Sequence, residues 1–505
     1  MTRNVLQVDE VRDLYPRPVD SLAFEHHLST PQGRGVRPDD ATTVSVSGGA
    51  CGDTVRLSLA TDGERVTQAG FEADGCGATT AAASAAVSLV RGHRLLDAAR
   101  VGTEQLCEEL GGLSLAKRHA AEVVADALGR ALGAAARRDG ALPAPQAHEG
   151  RRTLVAMSGG VDSTVAALLS ARDGEAVGVT LELWSDPDND ASRSCCSASA
   201  VSQARAMAHA LGLAHLTIDL RDEFRAGVVE PFIASYARGE TPNPCVGCNG
   251  HVRLDAMIGL ADRVGAASLA TGHYARIEEQ DDCPALLRLA ADGAKDQTYM
   301  LAALAPESLA RLRFPLGELT KPQVREIAAR AGLPVARKRD SQDLCFLAGT
   351  NRARFLARHG AIAHRPGEVV DRAGTVLAIH DGHERFTVGQ RRGLGVAAPE
   401  PLYVLAKDAI DNRVTVGPRA ALLAAAVRLR DVRLHRDGAG VDSVRLRYRS
   451  PTTQCRLEGA LGAGDHAEAI VRLGEPFAGV APGQIGCLMD GELIIGHGTI
   501  DRAVF

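Results

Sequence analysis

Between residues 151 and 345, short apolar runs alternate with stretches whose apolar residues recur at helical spacing. The runs are 154–157, 176–183, 215–219 and 268–271. Runs so short and so continuously apolar suit strands covered on both faces, and the intervening helices supply the cover. The alternation predicts an α/β fold built on a doubly wound parallel sheet. Upstream, 54–59 and 70–73 read as sheet segments and 79–91 and 115–132 as Ala-rich helices, together a small α+β domain. From Arg365 onward the pattern changes to short β segments between Gly and Pro turns, such as Gly367-Glu368-Val369-Val370-Asp371. Segments 444–448, 467–473 and 492–495 predict a small C-terminal β-barrel.

Residues 136–150, which include Gly140, Pro143, Pro145 and Gly150, read as a linker. The expected division is a small domain over 1–135, that linker, a catalytic domain over 151–345, a β-rich central domain over 346–420 and a barrel over 421–505. No internal repeat is visible.

Composition narrows the class. The 505 residues are 45% hydrophobic and 24% charged, ordinary for a soluble globular chain of several domains. A formal net charge of −5 excludes a globally basic nucleic-acid binder but not a local basic surface. No apolar run approaches the roughly 20 residues that span a bilayer, and no membrane partner is expected. Arg3, Asp9, Glu10 and Arg12 leave no room for the apolar core of a secretory signal. Eleven cysteines, some in C-x-x-C and C-C patterns, suggest metal or sulfur chemistry in a reducing cytoplasm.

The first chemical motif follows the run 154–157: Ser158-Gly159-Gly160-Val161-Asp162-Ser163, ahead of an apolar-faced helix. A glycine turn from strand to helix places backbone N–H groups against phosphate. Two glycines let the backbone close around an anion, Ser158 and Ser163 add hydroxyls, and Asp162 suits Mg²⁺. The Lys of a Walker loop is missing, so a kinase-like grip on a γ-phosphate is not expected. The hexad resembles the pyrophosphate loop of the ATP-pyrophosphatase superfamily.

The second motif is Thr241-Pro242-Asn243-Pro244-Cys245-Val246-Gly247-Cys248. Its prolines fix a stiff turn from which two thiols project. Further along lie Thr271-Gly272-His273-Tyr274, Lys295-Asp296-Gln297, Cys345-Phe346 after Ser341-Gln342-Asp343, Phe386-Thr387-Val388-Gly389-Gln390, and Ala481-Pro482-Gly483-Gln484. With these motifs in this order, residues 151–505 resemble the bacterial tRNA-specific 2-thiouridylases. That family adenylates the C2 oxygen of the wobble uridine with ATP and replaces it with sulfur.

The resemblance implies site residues. Ala156, Met157, Ser158, Gly159, Gly160, Val161, Asp162, Ser163, Leu181 and Gly272 would contact ATP. Asn243, Pro244 and Cys245 would lie against the target base. His273, Lys295, Asp296, Gln297, Arg447, Tyr448 and Gln484 would face tRNA. Cys248 matches the attacking cysteine and Cys345 the persulfide carrier, whose pKa Arg337, Lys338 and Arg339 can lower. The chain departs from the family at Cys245, where an Asp is usual. Cys245, Cys248 and Cys345 then offer three thiolates, enough for three irons of a [4Fe–4S] cluster with one iron open to hydrosulfide. The same residues can instead relay a persulfide. Zn²⁺ is a third option, weakened by the lack of a clear fourth ligand.

Over roughly residues 5–132, Ala50-Cys51-Gly52-Asp53, Asp74-Gly75-Cys76-Gly77 and Lys117-Arg118-His119-Ala120 resemble IscU/NifU-type iron–sulfur scaffolds. Cys51, Asp53 and Cys76 match that family's ligands, while its third cysteine falls on Ala120. The set Cys51, Asp53, Cys76 and His119 suits iron or a labile cluster through mixed ligation, and a docking platform for a cysteine desulfurase or other sulfur donor is the alternative.

Other residues have plainer readings. Cys107 reads as packing, Cys195-Cys196 as the start of a helix, Cys283 as a loop residue, and Cys455 and Cys487 as barrel core. Arg445, Arg447 and Arg449 alternate along one predicted strand, which suits phosphate contact. The leading function is a tRNA uridine 2-sulfurtransferase using ATP and Mg²⁺. The rivals are a cluster or sulfur carrier, and an adenylating amidotransferase of the same superfamily.

Overall fold

The computed structural model describes residues 21–48, 52–140, 142, 151–186, 198–280, 283–340, 344–360 and 365–505. The first unit is an antiparallel sheet, β1 (Thr42–Gly48), β2 (Asp53–Thr61) and β3 (Val66–Asp74), in that order. Val55, Leu57 and Leu59 of β2 are fully or almost fully buried, and β2 packs against the helix Arg118–Asp139. The helix Gly77–Val90 is mostly Ala on its buried positions, which lets it pack close to both β3 and the longer helix.

The second unit is a parallel sheet: β4 (Thr153–Ala156), β5 (Ala176–Glu182), β6 (Ala214–Asp219), β7 (Ser268–Ala270) and, after the hairpin β8 (Arg276–Gln280) and β9 (Cys283–Arg288), β10 (Leu312–Arg313). The spatial order is β10-β7-β4-β5-β6. The chain winds outward from β4 through β5 to β6, then returns to the other side of β4 at β7. The carboxyl ends of β4 and β7 therefore flank a topological switch point, where open α/β sheets leave a crevice.

Downstream, β11 (Gly367–Val370), β12 (Val376–His380), β13 (Tyr403–Asp408) and β14 (Arg413–Gly417) form a sheet of order β12-β11-β14-β13. The last unit holds β15 (Leu423–Leu434), β16 (Ser443–Arg445), β17 (Thr453–Leu457), β18 (Gly464–Ala478), β19 (Ile485–Asp490) and β20 (Leu493–Val504). They run β15-β18-β17-β16-β19-β20, and pairing of β15 with β20 closes the barrel. The last strand is much longer than residues 492–495. Gly496 and Gly498 break the apolar pattern there, but a Cβ at Gly498 would lie 2.9 Å from Val432 Cγ2. They are glycines because the barrel wall is tight at that crossing. The hairpin β8–β9 also joins this sheet, through β9 beside β20. Strand–helix alternation gave no sign of that.

The segment read as a linker begins as helix, since Arg118–Asp139 runs through it and Ala136 is fully buried. One side of that helix covers β6, the edge of the parallel sheet. Gly133 permits the approach, because a Cβ there would lie 2.0 Å from Thr217 O. Asp126 accepts from Arg205 at 2.7 Å and Arg130 at 2.8 Å, and Arg130 also pairs with Glu182. His215 N–H and His209 Nε2 both reach Ala99 O, at 2.9 and 3.1 Å. An edge strand otherwise open to foreign pairing is thus capped from within the chain.

Two outcomes follow from this interface. Gly133→Val should force the helix off β6 and cost about 1–3 kcal/mol, read as a lower first thermal transition. The second is a pH effect. Burial pushes His209 down to about 4, and His215 is lowered by burial and by Arg205. The unfolded chain takes up protons on both below about pH 6.5 while the folded chain does not. Stability is then complete above pH 6.5 and lost as pH falls from 6.5 toward 4. The urea midpoint should drop between pH 7 and pH 5, and less so in His209→Gln.

Candidate active site

The loop after β4 has Gly159 at φ +67°, and a Cβ there would press on Ala200 O at 3.0 Å. Ser163 Oγ accepts from Ser158 N at 3.1 Å and lies 3.2 Å from Ser158 Oγ. Gly160 caps the helix Val161–Asp173 without a side-chain hydrogen bond, so its first N–H groups are available to an anion. The loop opens on a cleft of about 950 Å³ at the β4/β7 switch point. Ala156, Ser158, Gly160, Val161, Asp162, Ser163 and Gly272 line it. Met157, Gly159 and Leu181 do not; Met157 and Leu181 are buried, and Met157 O accepts from Thr180 at 3.0 Å.

Gly272 follows β7. A Cβ on it would stand 2.8 Å from both Asp162 C and Ser163 N, so only glycine lets the two loops close on each other. Beside it, His273 Nδ1 is 2.8 Å from Thr271 Oγ1, and burial pushes the imidazole down to about 3. His273 lines the cleft as a neutral ring, not as a cation for phosphate.

Asp162 is held by Tyr274 of the Thr271–Tyr274 motif and by Lys321, which the sequence did not single out. Lys321 Nζ lies 2.8 and 2.7 Å from its two oxygens, and the Tyr274 hydroxyl donates to it at 2.9 Å. Lys321 also pairs with Asp340 at 2.9 Å, as do Lys295 at 2.8 Å and Arg325 at 2.9 Å. Burial opposes ionisation of Asp340, yet hydrogen bonds from Lys295 and Lys321 bring it down to about 2. Lys338 donates to Gly159 O at 3.0 Å and to Gln203, so its ammonium braces the phosphate loop. Arg253, Arg339 and Arg449 complete a basic lining. Their signal in the sequence was only charge, with nothing to show which charges converge.

Cys245, Cys248 and Cys345 are not among the residues that line the cleft, but the segments that carry them meet it at Arg253 and Asp340. Asn243 caps the short helix Pro244–Gly247 by accepting from Cys245 N at 3.1 Å, and its amide reaches Met300 Sδ at 3.4 Å. Cys248 begins a π-helical turn, Cys248–Arg253, that ends on the cleft at Arg253. Such turns recur at functional sites. The turn packs on Arg225–Val229, while Phe346 beside Cys345 stacks edge-on to Phe224 and Phe232 of the same helical stretch. Cys248 is buried, and Cys245 and Cys345 are half-buried. A single Zn²⁺ would draw its thiolates together around one ion. A cluster binds its cysteines on different irons and does not require that crowding.

Of the residues expected to face tRNA, His273, Lys295, Gln297 and Tyr448 line the cleft. Asp296 is buried, accepting from Thr298 and from Arg445 at 2.7 and 2.6 Å. Arg447 donates to Gly479 O and Val388 O. Its strand ends at Arg445, so the three alternating arginines do not share a strand face. Gln484 donates to Thr241 O at 2.6 Å and accepts from Tyr299 at 3.2 Å. Cys107 and Cys487 are buried and Cys455 half-buried.

In the N-terminal unit, Asp53, Cys76 and His119 place ligand atoms within 4.8 Å of one another. His119 Nδ1 is 2.8 Å from Ala116 O, which leaves the Nε2 lone pair directed at Asp53 Oδ2, 3.4 Å away. Two acceptors facing each other in a buried spot call for a cation between them, and the donor set fits iron or zinc. Ala120 is fully buried, and Cys51 and Cys195-Cys196 lie outside the described residues.

Comparison with known proteins matches four segments of the chain. Residues 23–141 match the NifU-like N terminal domain, 151–349 the tRNA methyl transferase HUP domain, 353–418 the tRNA methyl transferase PRC-barrel domain and 430–500 the aminomethyltransferase beta-barrel domain. The bifunctional protein NifU/MnmA of Rubrobacter xylanophilus is 42% identical over 94% of this chain and 97% of that protein. The chain belongs to the NifU/MnmA family. The tRNA-specific 2-thiouridylase MnmA of Geobacter metallireducens is 42% identical over 70% of this chain and 98% of that protein. That of Methylorubrum extorquens is 44% identical over 72% and 96%. The solved U34-tRNA thiolase NcsA from Methanococcus maripaludis with its [4Fe-4S] cluster aligns over 43% of this chain and 68% of that one, at 14% identity and TM-score 0.27, too distant to inform the chemistry here. No helix among the described residues is long and apolar enough to cross a membrane.

For a NifU/MnmA protein the Gly272 contact makes a sharp expectation. Gly272→Val must push the β7 loop off Asp162, and a displacement of about 1 Å costs on the order of 10²-fold in rate. Pyrophosphate release in the presence of tRNA should fall by that order while tRNA binding by filter retention stays near wild type.

Proposed function

We propose that this chain thiolates C2 of the wobble uridine in tRNA, with ATP and Mg²⁺, in the cytoplasm. The observation that carries the reading is the shared cleft: the phosphate loop, Lys295, Gln297 and Tyr448 face one space, and the cysteine-bearing turn Cys248–Arg253 ends on its wall.

The chemistry follows from what uridine lacks. Its O2 is a poor leaving group, so O2 first attacks the α-phosphorus of ATP and pyrophosphate departs. A sulfur nucleophile then adds to C2, the C2–O bond breaks, and AMP leaves with both electrons. The open N-terminus of Val161–Asp173, Ser158 and Ser163 receive the departing phosphates. Asp162, fixed by Lys321 and Tyr274, keeps a lone pair for the Mg²⁺ that accompanies ATP. Lys295, Gln297, Tyr448 and Arg449 take up RNA, and Asn243, Pro244 and Cys245 border the base. Cys245, Cys248 and Cys345 fit a [4Fe–4S] group as three thiolates, which would supply a site for hydrosulfide. The persulfide alternative uses Cys248 and Cys345 alone.

The Asp53–Cys76–His119 triad supports a second role for the N-terminal unit, holding iron or receiving sulfur from a cysteine desulfurase or other donor.

The two sulfur routes separate at Cys245. Full-length protein carrying Cys51→Ala and Cys76→Ala is reconstituted anaerobically, so that N-terminal iron does not contribute. About four irons per chain, lost in each of Cys245→Ala, Cys248→Ala and Cys345→Ala together with thiolation, is the expected result. Iron-free protein that thiolates tRNA from a persulfide donor, with Cys245→Ala still active, would refute the cluster.

A further inference from the structure

The segment that leads into the first thiol, Glu240 to Asn243, has no regular secondary structure, yet it is tied down from two other domains. From the barrel, Pro482 O accepts from Thr241 N at 2.8 Å, and Gln484 Nε2 donates to Thr241 O at 2.6 Å. Both polar groups of the Thr241 peptide link are thereby spent on the loop before β19. The Tyr299 hydroxyl, 3.2 Å from Gln484 Oε1 and 3.0 Å from Ile485 O, shares its one proton between them and accepts from Ile485 N at 3.2 Å. Gly483, at φ +87°, leaves no room for a Cβ, which would stand 3.0 Å from Glu240 Cβ. Arg430 of β15 holds the Glu240 carboxylate at 3.1 Å.

From the central domain, Lys407 of β13 reaches into the same place. Its ammonium donates to Phe386 O at 3.1 Å and lies 3.4 Å from both Glu240 O and Thr241 Oγ1. It also stands 5.8 Å from the centre of the Tyr236 ring. A lysine bound to two carbonyls, a hydroxyl and a ring, with no carboxylate among those partners, is an unusual use of a cation. An ammonium has three donors and no acceptor, and these three oxygens match them one for one. Burial pushes Lys407 down to about 7, with Arg352 adding to the effect and Glu384 and Glu240 opposing it.

We propose that Lys407 and Gln484 are positioning residues for the sulfur step: they fix the Glu240–Asn243 segment from the central domain and the barrel, and so set where the Cys245 and Cys248 thiols stand against the activated base. The assignment rests on the function proposed above. It gives Gln484 a task inside the protein in place of the tRNA contact that family resemblance implied. Neither residue touches reacting atoms. The bonds that change are the C2–S bond that forms and the C2–O bond that breaks, and both residues act through the loop. The phosphate loop makes no such contact with them, so adenylation is insulated from their loss.

The test uses the full-length chain with Lys407→Met and Gln484→Glu, each from a different domain. Gln484→Glu keeps shape and the acceptor for Tyr299 while losing the donor to Thr241 O. Four quantities are read: tRNA affinity by filter retention, tRNA-dependent pyrophosphate release in a single turnover, 2-thiouridine formed per turnover, and the rate at which iodoacetamide alkylates Cys245, by mass spectrometry. Expected are pyrophosphate release and tRNA affinity within about twofold of wild type, and thiolation down about tenfold or more. Cys245 alkylation should change by about fivefold or more in both variants. Pyrophosphate release and thiolation falling together, a weakened tRNA affinity, or an unchanged alkylation rate would each overturn the proposal. If wild type forms no 2-thiouridine, the functional reading fails, and the alkylation rates still decide whether the two residues position the loop.

Discussion

The ion chain Asp162–Lys321–Asp340–Lys295 is the contact on which the active-site cleft depends. Lys321 is almost wholly buried, and its charge is tolerable there only because two carboxylates meet it within 3 Å. Asp162 belongs to the glycine loop after β4, Asp340 leads toward Cys345, and Lys295 lines the cleft. One buried ammonium thus sets the spacing between that loop and the segment before Cys345. Removing Lys321, the buried member, leaves Asp162 and Asp340 without their shared cation. The site is held by charge where a core would be held by packing.

A second constraint is the uncovered edge of the parallel sheet. A sheet that ends at β6 needs something over that edge, and here the N-terminal unit supplies it with the helix Arg118–Asp139. Gly133 gives the close approach, the Asp126–Arg205 pair gives register, and Ala99 O satisfies an edge N–H. The fusion is therefore a packed interface and not two domains on a string. The Asp53–Cys76–His119 cluster and the cleft belong to one docked body, and the N-terminal unit has a structural duty of its own.

The C-terminal half is bound to the centre in the same manner. The hairpin β8–β9 leaves the catalytic domain to pair with barrel strand β20, while Lys407, Gln484 and Pro482 return to hold the thiol segment. Barrel and central domain act on the sulfur loop through the polypeptide backbone, where a side-chain substitution in the loop itself would be least able to compensate.

Much of this was open to sequence reasoning because it is local. A strand, a glycine turn and a helix lie within twenty residues, so Ser158–Ser163 and the parallel sheet follow from periodicity and turn chemistry alone. The Pro-flanked pair Cys245 and Cys248 is likewise a short-range pattern, whereas Asp53, Cys76 and His119 were grouped by resemblance. What stayed hidden is long-range. Asp162 and Lys321 are 159 residues apart, Gln484 and Thr241 are 243 apart, and no local pattern says which lysine meets which carboxylate. Arg447 reads as an exposed phosphate contact until the barrel closes and turns it onto Gly479, and the segment from Ala136 reads as a linker until its helix meets β6. The sequence by itself determined the elements, the phosphate turn and the candidate thiols, since those rest on backbone preferences of neighbours. Only the tertiary structure decided which charges are paired, which polar groups are spent inside and which remain for substrate, because burial and Coulomb energy depend on what folding brings together.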